Sequence, residues 1–243
     1  MADDNDKNDT DMKKIATALL SVWLLATAAT LQSCDNDDDD YYIYPYARPT
    51  AIVTVKPNAD NSSFYLQVDD STTLIPTNMK VSPFGNKEVR ALVNCTPTEN
   101  PTAHQGQTVT INWIDSILTK PTVANLAEKN DSAYGNDPVE IVNSFETVAE
   151  DGYLTLRFRT RWASGRPHRV NLVHRTDVNT PYLLQFYHDA APESAAGPVA
   201  DGLVAFRLDS TFNEPDTTIN ITLQWNSYSG TKTHTFKYKP RKD

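Results

Sequence analysis

The chain has 243 residues, 39% hydrophobic and 22% charged, enough for one or two modest domains and too few for a large multidomain machine. Two cysteines cannot build a disulfide scaffold. A formal charge of −9 makes the whole chain a poor general ligand for nucleic acid phosphates.

That charge is unevenly spread. Residues 1–33 hold five acids and three lysines, and residues 35–40, Asp-Asn-Asp-Asp-Asp-Asp, hold five acids and no base. From Tyr41 onward 19 bases face 21 acids, so the body of the chain is nearly neutral. A run of like charges repels itself and stays extended, which makes the acidic block a tether.

In chain order, the first element is an export signal over residues 1–33. Lys13 and Lys14 precede the apolar run from Ile15 to Ala26, the charged n-region and apolar h-region of a secretory signal peptide. The run is too short for a membrane span. Because residues 1–11 are acidic, Met12 is the better start. Leu31-Gln32-Ser33-Cys34 resembles a bacterial lipobox, which implies that the Cys34 thiol takes a diacylglycerol and its freed amine a further acyl chain such as palmitate. Each buried methylene contributes about 0.8 kcal/mol, so several acyl chains hold a protein on a membrane without a spanning helix. The n-region, h-region and cysteine in register favour this over an ordinary cleavage site with a chance cysteine. Residues 34–47 are then the lipidated cysteine and its tether. Asp35, Asp37, Asp38, Asp39 and Asp40 resemble the surface-export signal of lipoproteins from a group of Gram-negative anaerobes, which implies the outer membrane, facing outward.

From residue 48 short alternating runs bounded by Pro, Gly, Asn and Asp dominate, and the class is all-β. Strands are expected at 51–55, 64–68, 72–76, 88–94 and 108–115, enough for a small closed barrel over 48–120. Cys95, without an intramolecular partner once Cys34 is lipidated, is expected to be a small buried strand residue. The Pro-, Asn- and Asp-rich residues 121–138 read as a linker with one helical turn near 123–129. Strands at 141–148, 153–162, 168–175, 182–188, 203–209, 218–226 and 231–239 suggest a seven-stranded β-sandwich over 139–243, with Asp151-Gly152 as a tight turn.

Val53-Thr54-Val55-Lys56-Pro57-Asn58, Phe64-Tyr65-Leu66-Gln67-Val68-Asp69-Asp70, Val89-Arg90-Ala91-Leu92-Val93-Asn94 and Asn112-Trp113-Ile114-Asp115 through Pro121 resemble the N-terminal OB-fold domain of NigD-like lipoproteins. His168-Arg169-Val170-Asn171-Leu172-Val173, Leu183-Leu184-Gln185-Phe186-Tyr187-His188, Gly202 through Leu208 and the closing hairpin near Tyr228 and Tyr238 resemble the C-terminal β-sandwich of that family. The resemblance implies an OB barrel followed by a sandwich. The family's name, from a gene at a bacteriocin locus, implies an immunity or accessory role and carries no functional residues onto this chain.

An OB fold that binds single-stranded nucleic acid needs a basic groove. Between residues 50 and 120 five bases face six acids, so no nucleic acid partner is expected. In Leu154-Thr155-Leu156-Arg157-Phe158-Arg159-Thr160-Arg161-Trp162, period-two alternation puts the apolar side chains on one face and Arg157, Arg159 and Arg161 on the other. A hairpin closed at 163–167 would set Arg161 opposite Arg169. Like charges directly opposite repel, so two readings stand: a ladder for an anionic partner such as a surface glycan, lipid phosphate or acidic protein, or a solvated face neutralised by neighbouring acids. His168 and His174, at about 3.3 Å per residue along one strand, lie about 20 Å apart, too far to share a metal. His104, His188 and His234 are expected in core or turn positions. Trp113, Trp162 and Trp225 would offer sugar-stacking platforms if exposed, though strand positions favour burial.

No nucleophile elbow, metal-ligand cluster or cofactor motif is present. The expectation is a non-enzymatic, lipid-anchored surface protein with no metal and no cofactor. It would bind the membrane through its lipid and a surface glycan or protein through its body. The alternatives are bacteriocin-related protection and a hydrolase of surface polymers, the latter requiring a Ser-His-Asp cluster or paired carboxylates brought together in space.

Overall fold

The computed structural model describes residues 47–98, 106–162, 167–175, 179–190, 197–213 and 217–241. Cys34, Asp35, Asp37, Asp38, Asp39, Asp40, the apolar run before them and His104 lie outside the described residues.

Five strands come first: β1 (Ala51–Pro57), β2 (Phe64–Gln67), β3 (Thr73–Pro76), β4 (Val89–Pro97) and β5 (Gln107–Ser116). They close into a barrel in the order β1-β2-β3-β5-β4. Strand β1 joins the ends because its first half pairs with β4 and its second with β2. Val53, Val55, Leu66, Ala91 and Val93 fill the barrel at 0% exposure, with Phe64, Leu74, Val109 and Ile111 around them. Cys95 packs against the barrel core but is half-buried rather than buried; it sits at a register shift between Asn94 and Cys95, where the ladder is locally disrupted.

The rest builds two sheets from β6 (Thr119–Pro121), β7 (Glu140–Ile141), β8 (Val148–Glu150), β9 (Tyr153–Arg161), β10 (Arg169–Arg175), β11 (Leu183–Asp189), β12 (Val199–Arg207), β13 (Ile219–Ser227) and β14 (Gly230–Tyr238). One sheet runs β6-β12-β9-β7 with β8 also on β9, the other β10-β11-β13-β14. Leu154, Leu156, Phe158, Leu172, Leu184, Phe186, Val204, Phe206, Ile221 and Leu223 lie between them. The strand expected at 141–148 is two strands. Thr147 turns back onto Ser144 with a 3.0 Å backbone bond, its hydroxyl bonds Val142 O at 2.6 Å, and the excursion carries Glu146 into the interior at 2% exposure. Asp151 and Gly152, at φ 46° and 83°, make the tight turn from β8 to β9, both in the left-handed region that such hairpins need.

Residues 121–138, expected as a linker, pack on the sandwich. Val123 bridges to Val173 in β10, a 3-10 turn at Ala127–Lys129 leads into α1 (Asn130–Tyr134), and Tyr134 meets Tyr187 of β11 with ring centres 5.9 Å apart. Pro, Asn and Asp favour turns, and turns can be docked as firmly as strands. No helix among the described residues is long and apolar enough to cross a membrane.

Barrel and sandwich share an apolar seam of Ile52, Leu92, Ile117, Tyr153 and Ala205. Strands β1 and β4 are therefore covered on both faces, which is why 51–55 and 89–93 read as nearly continuous apolar runs. Arg90 stands in this seam, fully buried. Its Nε donates to Thr155 at 3.3 Å and its Nη1 to Thr54 at 3.1 Å, while Nη2 lies 3.7 Å from the Glu150 carboxylate. Burial lowers the Arg90 pKa to about 10, with Glu150 and Asp151 opposing it. Burial also raises Glu150 to about 7; Arg90 pulls it back, and the carboxylates of Asp69, Asp151 and Asp70 push it further up. Beside them Tyr153 donates to Glu88 at 2.7 Å, Arg241 donates to both Glu88 oxygens at 2.9 and 3.0 Å, and Lys56 donates to Asp151 at 2.9 Å.

Candidate functional site

The arginines predicted as one ladder are divided between sheets. Strand β9 pairs with β12, β7 and β8, and β10 pairs with β11, so Arg161 does not face Arg169 and no hairpin joins them. Strands β9 and β10, consecutive in the chain, belong to different sheets, as in many sandwiches. Arg169 pairs instead with Asp189 across β10 and β11, its Nε 2.9 Å from the carboxylate. Arg157 and Arg159 converge on Asp201 of β12 at 2.7 and 2.6 Å, and Arg157 also lies 3.8 Å from Glu146. Burial works to raise the Asp201 pKa, and the bonds from Arg159 and Arg157 outweigh it and hold it below the usual carboxylate range. These two arginines are neutralised by neighbours.

Arg161 differs. Its Nη1 donates to the Gly197 carbonyl at 3.2 Å, and it has no carboxylate partner among the described residues. It opens onto a notch of about 260 Å³ lined by Glu140, Arg159, Thr160, Arg161, Val199 and Tyr228. The notch exists because β7 is two residues long and pairs only with Arg159 and Phe158. Upstream, Pro138 has no N–H to offer, and Val139 turns away to donate to Asn226 O at 3.0 Å. Tyr228, in the β13–β14 turn, leans over the gap with its hydroxyl 3.1 Å from that of Thr160 and remains 54% exposed, beside Val199 at 43%. Glu140 is occupied by Lys232 and Ser227 at 2.8 Å each; burial opposes, but these bonds lower its pKa. What faces solvent is an aromatic ring, an apolar side chain and a guanidinium, suited to stacking on a flat ring while bonding a carboxylate or sulfate on it. Tyr228, Val199 and Glu140 were not singled out in sequence. Tyr228 in Ser-Tyr-Ser-Gly, an aromatic in a polar hairpin turn, was the available signal.

Elsewhere, His168 and His188 meet, Nδ1 to Nε2 at 2.8 Å, with His188 Nδ1 facing the Asp137 carbonyl at 3.3 Å. Trp162 stacks on His168 with centres 4.0 Å apart and donates to Ala200 O at 2.9 Å. Burial lowers both histidines, His188 to about 4. His174 carries Asp209 at 3.3 Å on Nδ1, as a triad histidine would, but its Nε2 is taken by the Pro181 carbonyl at 2.8 Å. Among the described residues no group of three or more His, Cys, Asp and Glu is placed to hold a metal ion. Trp225 is buried in the sandwich core, and Trp113 packs on the domain seam and donates to Ala47 O at 2.9 Å.

A closed five-strand barrel followed by a two-sheet sandwich defines a two-domain all-β protein. The description "NigD-like N-terminal OB domain" matches residues 52–117 and "NigD-like C-terminal beta sandwich domain" residues 122–238. The chain belongs to the NigD-like family. A crystal structure of a protein described as toxin-related, from Parabacteroides distasonis, is similar at 32% identity and a TM-score of 0.63, covering 78% of this chain and 92% of that one. A NigD-like immunity protein from Bacteroides caccae is similar at 20% identity and 0.56, covering 79% and 93%. A protein described as a lipoprotein, from Bacteroides fragilis, is similar at 16% and 0.51, covering 79% and 98%. A search of curated proteins found no match.

Proposed function

We propose that this chain is a non-enzymatic binding module, anchored by lipid on Cys34 and displayed outside the outer membrane, that holds an acidic polysaccharide in the Arg161–Tyr228 notch. The observation that carries the reading is Arg161, a guanidinium without a carboxylate partner among the described residues, beside an exposed ring. Support for the anchor is the Leu31-Gln32-Ser33-Cys34 motif and the acidic run after it. Retention on immobilised polygalacturonate tests the notch: the wild type binds, and Arg161→Ser and Tyr228→Ser elute early with unchanged melting temperature. Equal retention of all three refutes the assignment. The anchor is tested by mass spectrometry of the mature amino-terminal peptide, which should carry the diacylglycerol and acyl mass on Cys34.

A second reading, protection against a bacteriocin, is favoured by the similar structure described as an immunity protein. A strain lacking the gene would then become toxin-sensitive, and unchanged sensitivity would reject it.

A further inference from the structure

A second recess lies where the barrel meets the sandwich, about 250 Å³ lined by Glu88, Val89, Ile117, Thr119, Lys120, Pro121 and Arg207. It adjoins a smaller one of about 200 Å³ that shares Glu88 and Arg207 and adds Gly152, Leu208, Asn213 and Arg241. The larger recess is apolar where Val89, Ile117 and Pro121 stand, and its charged lining is one acid, Glu88, against two bases, Lys120 and Arg207. The acid is spent: both Glu88 oxygens accept from Arg241, and one also from the Tyr153 hydroxyl. Lys120 donates to Val170 O and Asn171 Oδ1, which are neutral acceptors and leave its charge uncompensated. Arg207 is exposed at the end of β12; its guanidinium lies 5.7 Å from the Tyr153 ring centre and reaches the Tyr153 hydroxyl at 3.4 Å. It has no carboxylate partner among the described residues.

A recess with an excess of positive charge, one guanidinium without a carboxylate partner among the described residues and apolar walls matches an anion attached to something apolar. We infer that the barrel–sandwich recess binds a small organic carboxylate, its oxygens on Arg207 and its apolar body against Val89, Ile117 and Pro121. This site is independent of the Arg161 notch, since the two share no lining residue.

The probes are benzoate, its neutral isostere benzamide and inorganic phosphate, titrated against the full chain by calorimetry. Benzoate should bind saturably; Arg207→Gln should weaken it at least about tenfold, as loss of a charge-assisted pair implies. Benzamide, which keeps the ring but not the charge, and phosphate, which keeps a charge but brings no apolar body, should each bind at least about tenfold more weakly than benzoate. Val89→Phe, which fills the wall and leaves every charge in place, should weaken benzoate as well and keeps the test decisive if Arg207→Gln fails to fold. Absence of saturable benzoate binding overturns the proposal, as does binding indifferent to Arg207→Gln or Val89→Phe, or benzamide or phosphate binding as tightly as benzoate.

Discussion

A guanidinium taken out of water must have its donors filled and its charge answered, and Arg90 meets the first condition on two of its three nitrogens and the second through Glu150, with Asp151 adding to it. Removing the side chain strands two threonine hydroxyls and a half-buried carboxylate. Arg90→Ala should therefore lower the unfolding free energy by about 3–5 kcal/mol, and Arg90→Met, which keeps the volume without the charge, by clearly less. Urea titration of the pair checks this, and equal losses would contradict it. Two groups make stability depend on pH with opposite signs. His188 titrates at about 4 against an ordinary 6.5, so between those values the unfolded chain takes a proton that the folded chain resists, and stability falls as pH drops through that window. Glu150 titrates at about 7 against 4.5. The folded chain keeps a proton there that the unfolded chain has lost, so this contribution is full below pH 4.5 and disappears as pH rises through 7. The two windows overlap and their slopes oppose, so His188→Gln should make a urea-midpoint profile fall more steeply as pH rises from 4.5 to 7, and Glu150→Gln should make it rise more steeply from 4 to 6.5. A profile unchanged by both would show that neither burial is as described.

Strand β12 shows where sequence patterns stop at the level of elements. The strand is expected at 203–209, yet it begins at Val199 and takes in Asp201 and Gly202. Asp201 is at home in a strand because two arginines of β9 hold its carboxylate, and Gly202 because the Phe158 ring fills the space of its missing side chain. A Cβ at Gly202 would stand 2.4 Å from Phe158 Cζ. Gly202→Ala should cost about 1–3 kcal/mol through overpacking, read as a lowered melting temperature; an unchanged one would mean that Phe158 swings aside freely. The barrel strands were legible as short apolar or alternating runs bounded by Pro, Gly, Asn and Asp, and the β8–β9 turn because Asp-Gly supplies the required backbone angles. Strand pairing was not legible. Alternation says which face of β9 carries arginine but not which strand lies beside it, so Asp201 as the neutralising partner could not be read out.

At the scale of the molecule, barrel and sandwich are joined by an apolar seam with a charged network set into it, in place of a flexible link. They should unfold together: calorimetry of the wild type should give one transition, and Tyr153→Ala, which removes the ring beneath three guanidinium groups, should lower it or split it in two. Two transitions in the wild type would show the seam to be weak. The candidate notch gathers Glu140, Arg159, Thr160, Arg161, Val199 and Tyr228 from four separate stretches of chain. No spacing in the sequence joins them, and only the arginines announced themselves. The most direct measurement on the whole account is capture from intact cells by the lipidated chain, wild type beside Arg161→Ser. The account predicts an acidic polysaccharide recovered with the wild type and lost with the variant. Recovery by both alike, or capture only after the cells are broken, would contradict it.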